Sequence, residues 1–194
     1  DLDEVTAARQ SAGDFQVFIS RGHAMLRRLE ASRMPIVAAV HGLALAGGLE
    51  LMMSCDVVLA GRSARMGDQH VQYGLLPGFG GSQRLPRLVG LRRALELMYS
   101  GRWLDAEEAF EWGLVNEIAE DAVLAERALE FCTTIATRSP DGLGWMKRLA
   151  RDGLEGSLDA GLTLEEENAA EAQLNDNTSE GLAAFKERRV PVFK

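Results

Sequence analysis

The sequence predicts an α/β core followed by a C-terminal α-helical appendage, and three observations carry that expectation. The front half alternates short apolar runs, at 36–40 and 57–60, with turn residues and short helical stretches. After Gly90 the apolar residues recur at helical spacing, broken only by caps and stops. A chain of 194 residues, 46% of them hydrophobic, is long enough for one domain with a proper core, or one domain with a small appendage.

Taken in order, residues 1–13 are polar and predict a loop or short helix, and 14–33 predict a helix bearing Phe15, Phe18, Ile19, Leu26 and Leu29 on one face. Pro35 separates that helix from a strand at 36–40. The stretch MPIVAAVHGLALAGGLELMMSCDVVLAG then reads as buried strand, a small-residue turn at Gly47 and Gly48, a short apolar helix, and a second strand from Val57. Residues 64–67 predict another short strand, and 68–90 a segment punctuated by Gly and Pro. Its Gly78-Phe79-Gly80-Gly81 lacks the Lys-Ser/Thr ending of a phosphate loop and the spacing of a dinucleotide fingerprint, so a tight turn opening a helix accounts for it. Helices follow at 91–99, from Asp105 (with Glu108 three residues on) to Gly113, and at 121–138, 141–151, 157–174 and 178–189, with a last strand at 115–118.

Charge and composition narrow the function. A net charge of −8 argues against nucleic acid or an anionic membrane surface as the main partner. Glu50, Asp56 and Arg62 interrupt the longest apolar run, so no stretch reads as a transmembrane helix. Two distant cysteines, Cys55 and Cys132, fit free thiols in a reducing compartment, and the three histidines form no metal-ligand cluster. The expected location is cytoplasmic. The acidic run at Glu165, Glu166, Glu167 and Glu171 reads as a solvated helix face.

Glu50 is the residue that invites chemistry. An acid in the first turn of a helix is favoured by the helix dipole, and that alone can explain it. Here its neighbours are apolar, which places it in a partly dry pocket where a carboxylate can act as acid or base. Both readings stand on the local stretch.

The motifs PIVAAVHGLALAGGLELMMSCDVVLA, ARMGDQHVQYGLLPGFGGSQRLPRLVG, SGRWLDAEEAFEWGLVNEI and TSEGLAAFKERRVPVF resemble, in residues and spacing, the enoyl-CoA hydratase/isomerase family, or crotonase superfamily, over nearly the whole chain. The resemblance implies a crotonase-like ββα spiral core over residues 1–135 and an α-helical trimerisation and lid region over 136–194. It implies an acyl-CoA thioester substrate, no cofactor beyond the coenzyme A that the substrate carries, no metal, and a homotrimer or dimer of trimers.

In that family two backbone N–H groups form an oxyanion hole for the thioester oxygen. Gly47 falls on one donor. Asp1 and Leu2 look like the tail of the Ala-Asp-Leu-like segment that supplies the other, so the chain resembles a family member lacking its N-terminal third. Glu50 falls on the first of the two glutamates that handle water and the α-proton. The second falls at position 70, where this chain has His70. A histidine can move a proton near neutral pH, orient water, or serve as a polar wall of the pocket. Gly78 matches the glycine whose N–H holds the water, and Gln69 and Leu76 would line the pocket. In the family, Phe and basic residues of the C-terminal helices can cover the acyl or coenzyme A part of the ligand; Phe185, Lys186 and Arg189 are the candidates, while on sequence alone the FKERR run reads as a solvated helix. The expected activity is a lyase reaction, enoyl-CoA hydration or 3-hydroxyacyl-CoA dehydration. The alternatives are another reaction of the superfamily on acyl-CoA (isomerisation, decarboxylation or hydrolysis), prompted by His70, and a truncated, non-catalytic assembly subunit.

Overall fold

A computed structural model of the protein describes residues 2–194, with side chains from Asp3 onward, so Asp1 lies outside the described residues and Leu2 is defined in its backbone alone. The chain divides into two compact units, one of the residues up to Glu30 with Ile36–Ala128, the other of Ala31–Pro35 with Leu129–Lys194.

In the first unit, helices α1 (Leu2–Ala8) and α2 (Ala12–Glu30) precede a repeating strand–strand–helix path. β1 (Val37–Val40), β2 (Leu43–Leu45) and α3 (Gly47–Met53) form its first turn; β3 (Val57–Gly61), β4 (Arg65–Gly67), α4 (Gly81–Val89) and α5 (Leu91–Ser100) its second. β5 (Leu104–Asp105), α6 (Ala106–Glu111) and β6 (Glu117–Ala119) complete it. Each turn lays one strand in each of two three-stranded sheets, ordered β1-β3-β6 and β2-β4-β5. The first sheet is parallel, with Val37 opposite Val57 and Leu59 opposite Glu117. In the second, Leu43 pairs with Arg65 in parallel and Arg65 with Asp105 antiparallel.

Parallel strands need a crossover, and the crossover helices bury their apolar faces between the sheets. Leu49, Met52, Met53, Met66, Leu85, Leu97 and Leu104 form that core with Leu114 and Val115. Polar side chains close the ends of the strands. Asp56 Oδ2 accepts from the Ile36 amide at 2.8 Å, and Asn116 Oδ1 accepts from the Val58 amide at 2.8 Å. Asp105 caps α6 through the Glu108 amide, as its spacing predicts.

Two elements differ from the expectation. The last strand begins at Glu117, because Leu114 and Val115 are drawn into the core and Asn116 is engaged with Val58. β2 is absent from the sequence reading altogether. α4 also runs through Pro86, which forfeits one helical hydrogen bond without ending the helix.

The second unit takes over α7 (Leu124–Ala136) from Leu129 and continues with α8 (Pro140–Gly153), α9 (Leu158–Ala172) and α10 (Asp176–Glu187). Ser139, Ser157 and Asn175 each cap the following helix with a side-chain oxygen, and Pro140 opens α8 rather than merely ending α7. Gly153 and Gly161 let α8 and α9 approach closely: a Cβ at Gly161 would stand 3.4 Å from Gly153 Cα. Asp141 ties the unit together. It accepts from Asn175 at 3.0 Å and Asn177 at 3.1 Å and pairs with Arg33 at 2.5 Å, and these partners hold its carboxyl below the usual carboxylate range.

Candidate active site

The site grows from the start of α3. Ala46 precedes the helix with φ at +48°, and its amide donates to the Gly67 carbonyl at 2.9 Å, which anchors the turn on β4. Gly47 and Gly48 then open the helix, where by geometry the first amides have no intrahelical acceptor. A Cβ at Gly48 would meet nothing within 4 Å, and one at Gly47 would meet only the Phe79 ring at 3.9 Å. The Cβ side of both glycines is therefore uncrowded.

One turn on, Glu50 is 1% exposed. Its Oε1 accepts from the amides of Phe79 at 2.8 Å and Gly81 at 2.7 Å. Both donors come from the glycine-rich turn before α4, whose Gly80 adopts φ +101°. The turn is held from two sides. Arg84 binds Glu30 through Nε at 2.7 Å and Nη2 at 2.9 Å and donates to the Phe79 carbonyl through Nη1 at 2.6 Å. From α2, Phe18 lies against the Phe79 ring with centroids 5.6 Å apart. Gly22 makes room for this fit, since a Cβ there would clash with Phe79 Cε1, whereas one at Gly78 would press only on the end of the Ile19 side chain.

With Oε1 occupied, Oε2 of Glu50 faces His70, 3.8 Å from Nε2. The other ring nitrogen, Nδ1, lies 3.1 Å from Asp68 Oδ1, which also accepts from the His70 amide at 3.2 Å. Asp68, His70 and Glu50 thus form a buried row, 1%, 8% and 1% exposed. Burial alone would pull the imidazole below its ordinary value. The hydrogen bond to Asp68, the charge of Asp68 and the charge of Glu50 outweigh burial, and His70 is held above that value.

That direction predicts a stability profile. A group raised in the folded state contributes fully below its unfolded value, near 6.5, and the contribution is lost as pH rises through the folded value. The urea midpoint of the native protein is expected to fall more between pH 6 and pH 9 than that of His70→Gln, which has no imidazole to deprotonate. Parallel profiles for the two proteins would refute this.

Of the residues expected at the site, Gly47, Glu50, His70 and Gly78 come together in the first unit. Gln69 is buried beside them with φ at +62°, its amide donating to the Gly101 carbonyl rather than facing open space. Leu76, expected on the pocket wall, is 86% exposed. The amides that reach Glu50 are those of Phe79 and Gly81, which the sequence reading passed over in favour of Gly78. Asp68 was missed as well, although an Asp two residues before a His is a readable signal for an Asx-type turn. In the second unit, Phe185 and Lys186 are exposed on α10. Arg189 is occupied by Glu180 at 2.5 Å and Glu187 at 2.6 Å. Arg189, with the Val192 amide, lowers the Glu180 carboxyl to about 2. Among the described residues no group of His, Cys, Asp and Glu could hold a metal ion, and no helix is long and apolar enough to cross a membrane.

The sequence profile of the enoyl-CoA hydratase/isomerase family matches residues 1–194. A probable enoyl-CoA hydratase of Bacillus subtilis is 38% identical over 195 residues, covering 100% of this chain and 75% of that protein. A short-chain-enoyl-CoA hydratase of Clostridium acetobutylicum is 38% identical over 168 residues, covering 87% of this chain and 64% of that protein. The crystal structure of an enoyl-CoA hydratase from Bacillus anthracis superposes with a TM-score of 0.94 at 36% identity, covering 100% of this chain and 74% of that one. The chain thus spans about two thirds to three quarters of the length of these relatives, and the crotonase-like spiral read from the motifs is the fold it has.

Proposed function

Since the chain belongs to the enoyl-CoA hydratase/isomerase family, we propose that its site adds water to a 2-enoyl-CoA and removes it from the 3-hydroxyacyl-CoA product. The observation that carries this reading is the grip on Glu50. Two backbone amides hold Oε1, so Oε2 is the atom left for proton transfer, and it faces an imidazole 3.8 Å away. In the hydration direction Oε2 takes a proton from water as the water oxygen bonds to the β-carbon. Charge develops on the thioester oxygen, where the Gly47 amide and the dipole of α3 stabilise it; one such donor contributes about 3–4 kcal/mol in a transition state. Protonated His70 then delivers the α-proton through Nε2. Glu50 has gained a proton and His70 has lost one, and a displacement of about 1 Å between Oε2 and Nε2 brings them into hydrogen-bond range to restore the starting state.

The same reading includes a homotrimer or dimer of trimers in the cytoplasm. Met146, Leu154, Leu158 and Phe185 are exposed on the helical unit, which supports a covered surface there. Phe185, Lys186 and Arg189 would meet coenzyme A only if Arg189 exchanges its carboxylate partners for phosphate.

A short-chain enoyl-CoA is the first substrate to test, given the name of the Clostridium relative. The protein is expected to bleach the conjugated thioester and to place solvent deuterium on the α-carbon. If it does neither with enoyl-CoAs of short or medium chain, the hydration reading is wrong.

A further inference from the structure

We propose that Asp68 is the positioning residue for His70: it holds Nδ1–H, so that Nε2 faces Glu50 and His70 serves as the proton-bearing partner. The proposal rests on the hydratase reading of the same site. As a carboxylate, Asp68 has acceptors only, so its contact with Nδ1 fixes the proton there and leaves Nε2 for the reaction.

A turn alone does not account for this residue. Oδ1 accepts from the His70 amide, but an asparagine oxygen would do that equally well. The carboxylate is 1% exposed, and its Oδ2 has no hydrogen-bond partner among the described residues. Burying such a group is costly unless a charge compensates it, and the facing group able to supply one is the His70 imidazolium. The backbone between them is also shaped for the contact. Gln69 takes a left-handed conformation that side chains rarely adopt, and its buried amide is fastened to the Gly101 carbonyl. That bend sets Asp68 and His70 side by side. The charged groups facing the imidazole are Asp68 from its own segment and Glu50 from α3, and both favour the protonated ring.

Asp68→Asn tests this, because it keeps the acceptor and removes the charge. With three histidines in the chain, His70 can be assigned in NMR spectra of histidine-labelled protein by comparison with His70→Gln. In Asp68→Asn the imidazole titration is expected to move to lower pH. The alkaline limb of kcat/KM for enoyl-CoA hydration should move with it, with a loss of about tenfold or more on that limb. The urea midpoint should fall at pH 6, where the native pair is charged, and the difference should shrink or reverse at pH 9. Asp68→Ala should move the titration in the same direction and also lower the midpoint, because the turn acceptor is gone. If the His70 titration in both variants coincides with that of the native protein, Asp68 is a turn residue and the proposal is overturned. Failure to turn over any enoyl-CoA would instead refute the hydratase reading, and the titration would still decide the role of Asp68.

Discussion

Glu50→Gln is expected to lower kcat/KM for hydration by about 10²- to 10⁴-fold while leaving the fold intact. The substitution is isosteric, and the glutamine oxygen can take the place of Oε1 and accept from Phe79 and Gly81 as before. What changes is the other atom. An amide nitrogen replaces Oε2, cannot accept a proton from water, and turns a donor toward His70. Steady-state kinetics with matched circular dichroism and urea midpoints would check it. Activity within about threefold of the native protein would make Glu50 a cap for the glycine turn and nothing more. The pairing of an unchanged midpoint with a large kinetic loss is the signature that separates chemistry from support.

Leu49→Ala is expected to cost about 2–5 kcal/mol of unfolding free energy. Leu49 is fully buried in the core of the first unit, among side chains that include Met66, Leu85 and Leu97, and alanine would leave a cavity that rigid strands on two sheets cannot collapse into. Urea denaturation measures the loss directly. Leu51, two residues on along the same helix, is 44% exposed, and Leu51→Ala should stay within about 0.5 kcal/mol. Equal effects at the two positions would mean that α3 is not packed as described. Because Leu49 precedes Glu50, the loosened helix should also lower activity in the folded fraction, through misplacement rather than loss of a reacting group.

Much of this architecture was legible because its signals are local. The apolar runs became β1 and β3, the glycine pair opened α3, and the Asp105–Glu108 spacing formed the expected cap. The element that escaped, β2, is three residues long, and its Leu-Ala-Leu pattern abuts glycines that read as a turn. Its pairing with β4 is tertiary, set by register across twenty-odd residues, and no local pattern announces it. The site divides along the same line. Glu50 stood out as a buried acid in an apolar helix, whereas the amides of Phe79 and Gly81 carry no side-chain signature. The positive φ of Ala46 and Gln69 was also invisible, because neither residue type advertises it. Asp68 was hidden in a segment read as punctuation between elements.

The buried row at positions 50, 68 and 70 also constrains how this sequence can change. A glutamate at position 70, as the resemblance leads one to expect, would gather three carboxylates in one enclosed space and remove the cation that faces them. A glutamate at 70 is therefore unfavourable while Asp68 remains, and it becomes tolerable once position 68 has lost its charge. The two sites should behave as a linked pair with a preferred order of replacement, and a double-mutant cycle between them should show coupling on the order of 0.5–3 kcal/mol. On this view positions 68 and 70 are matched in charge, and replacing either alone is expected to cost more than replacing both.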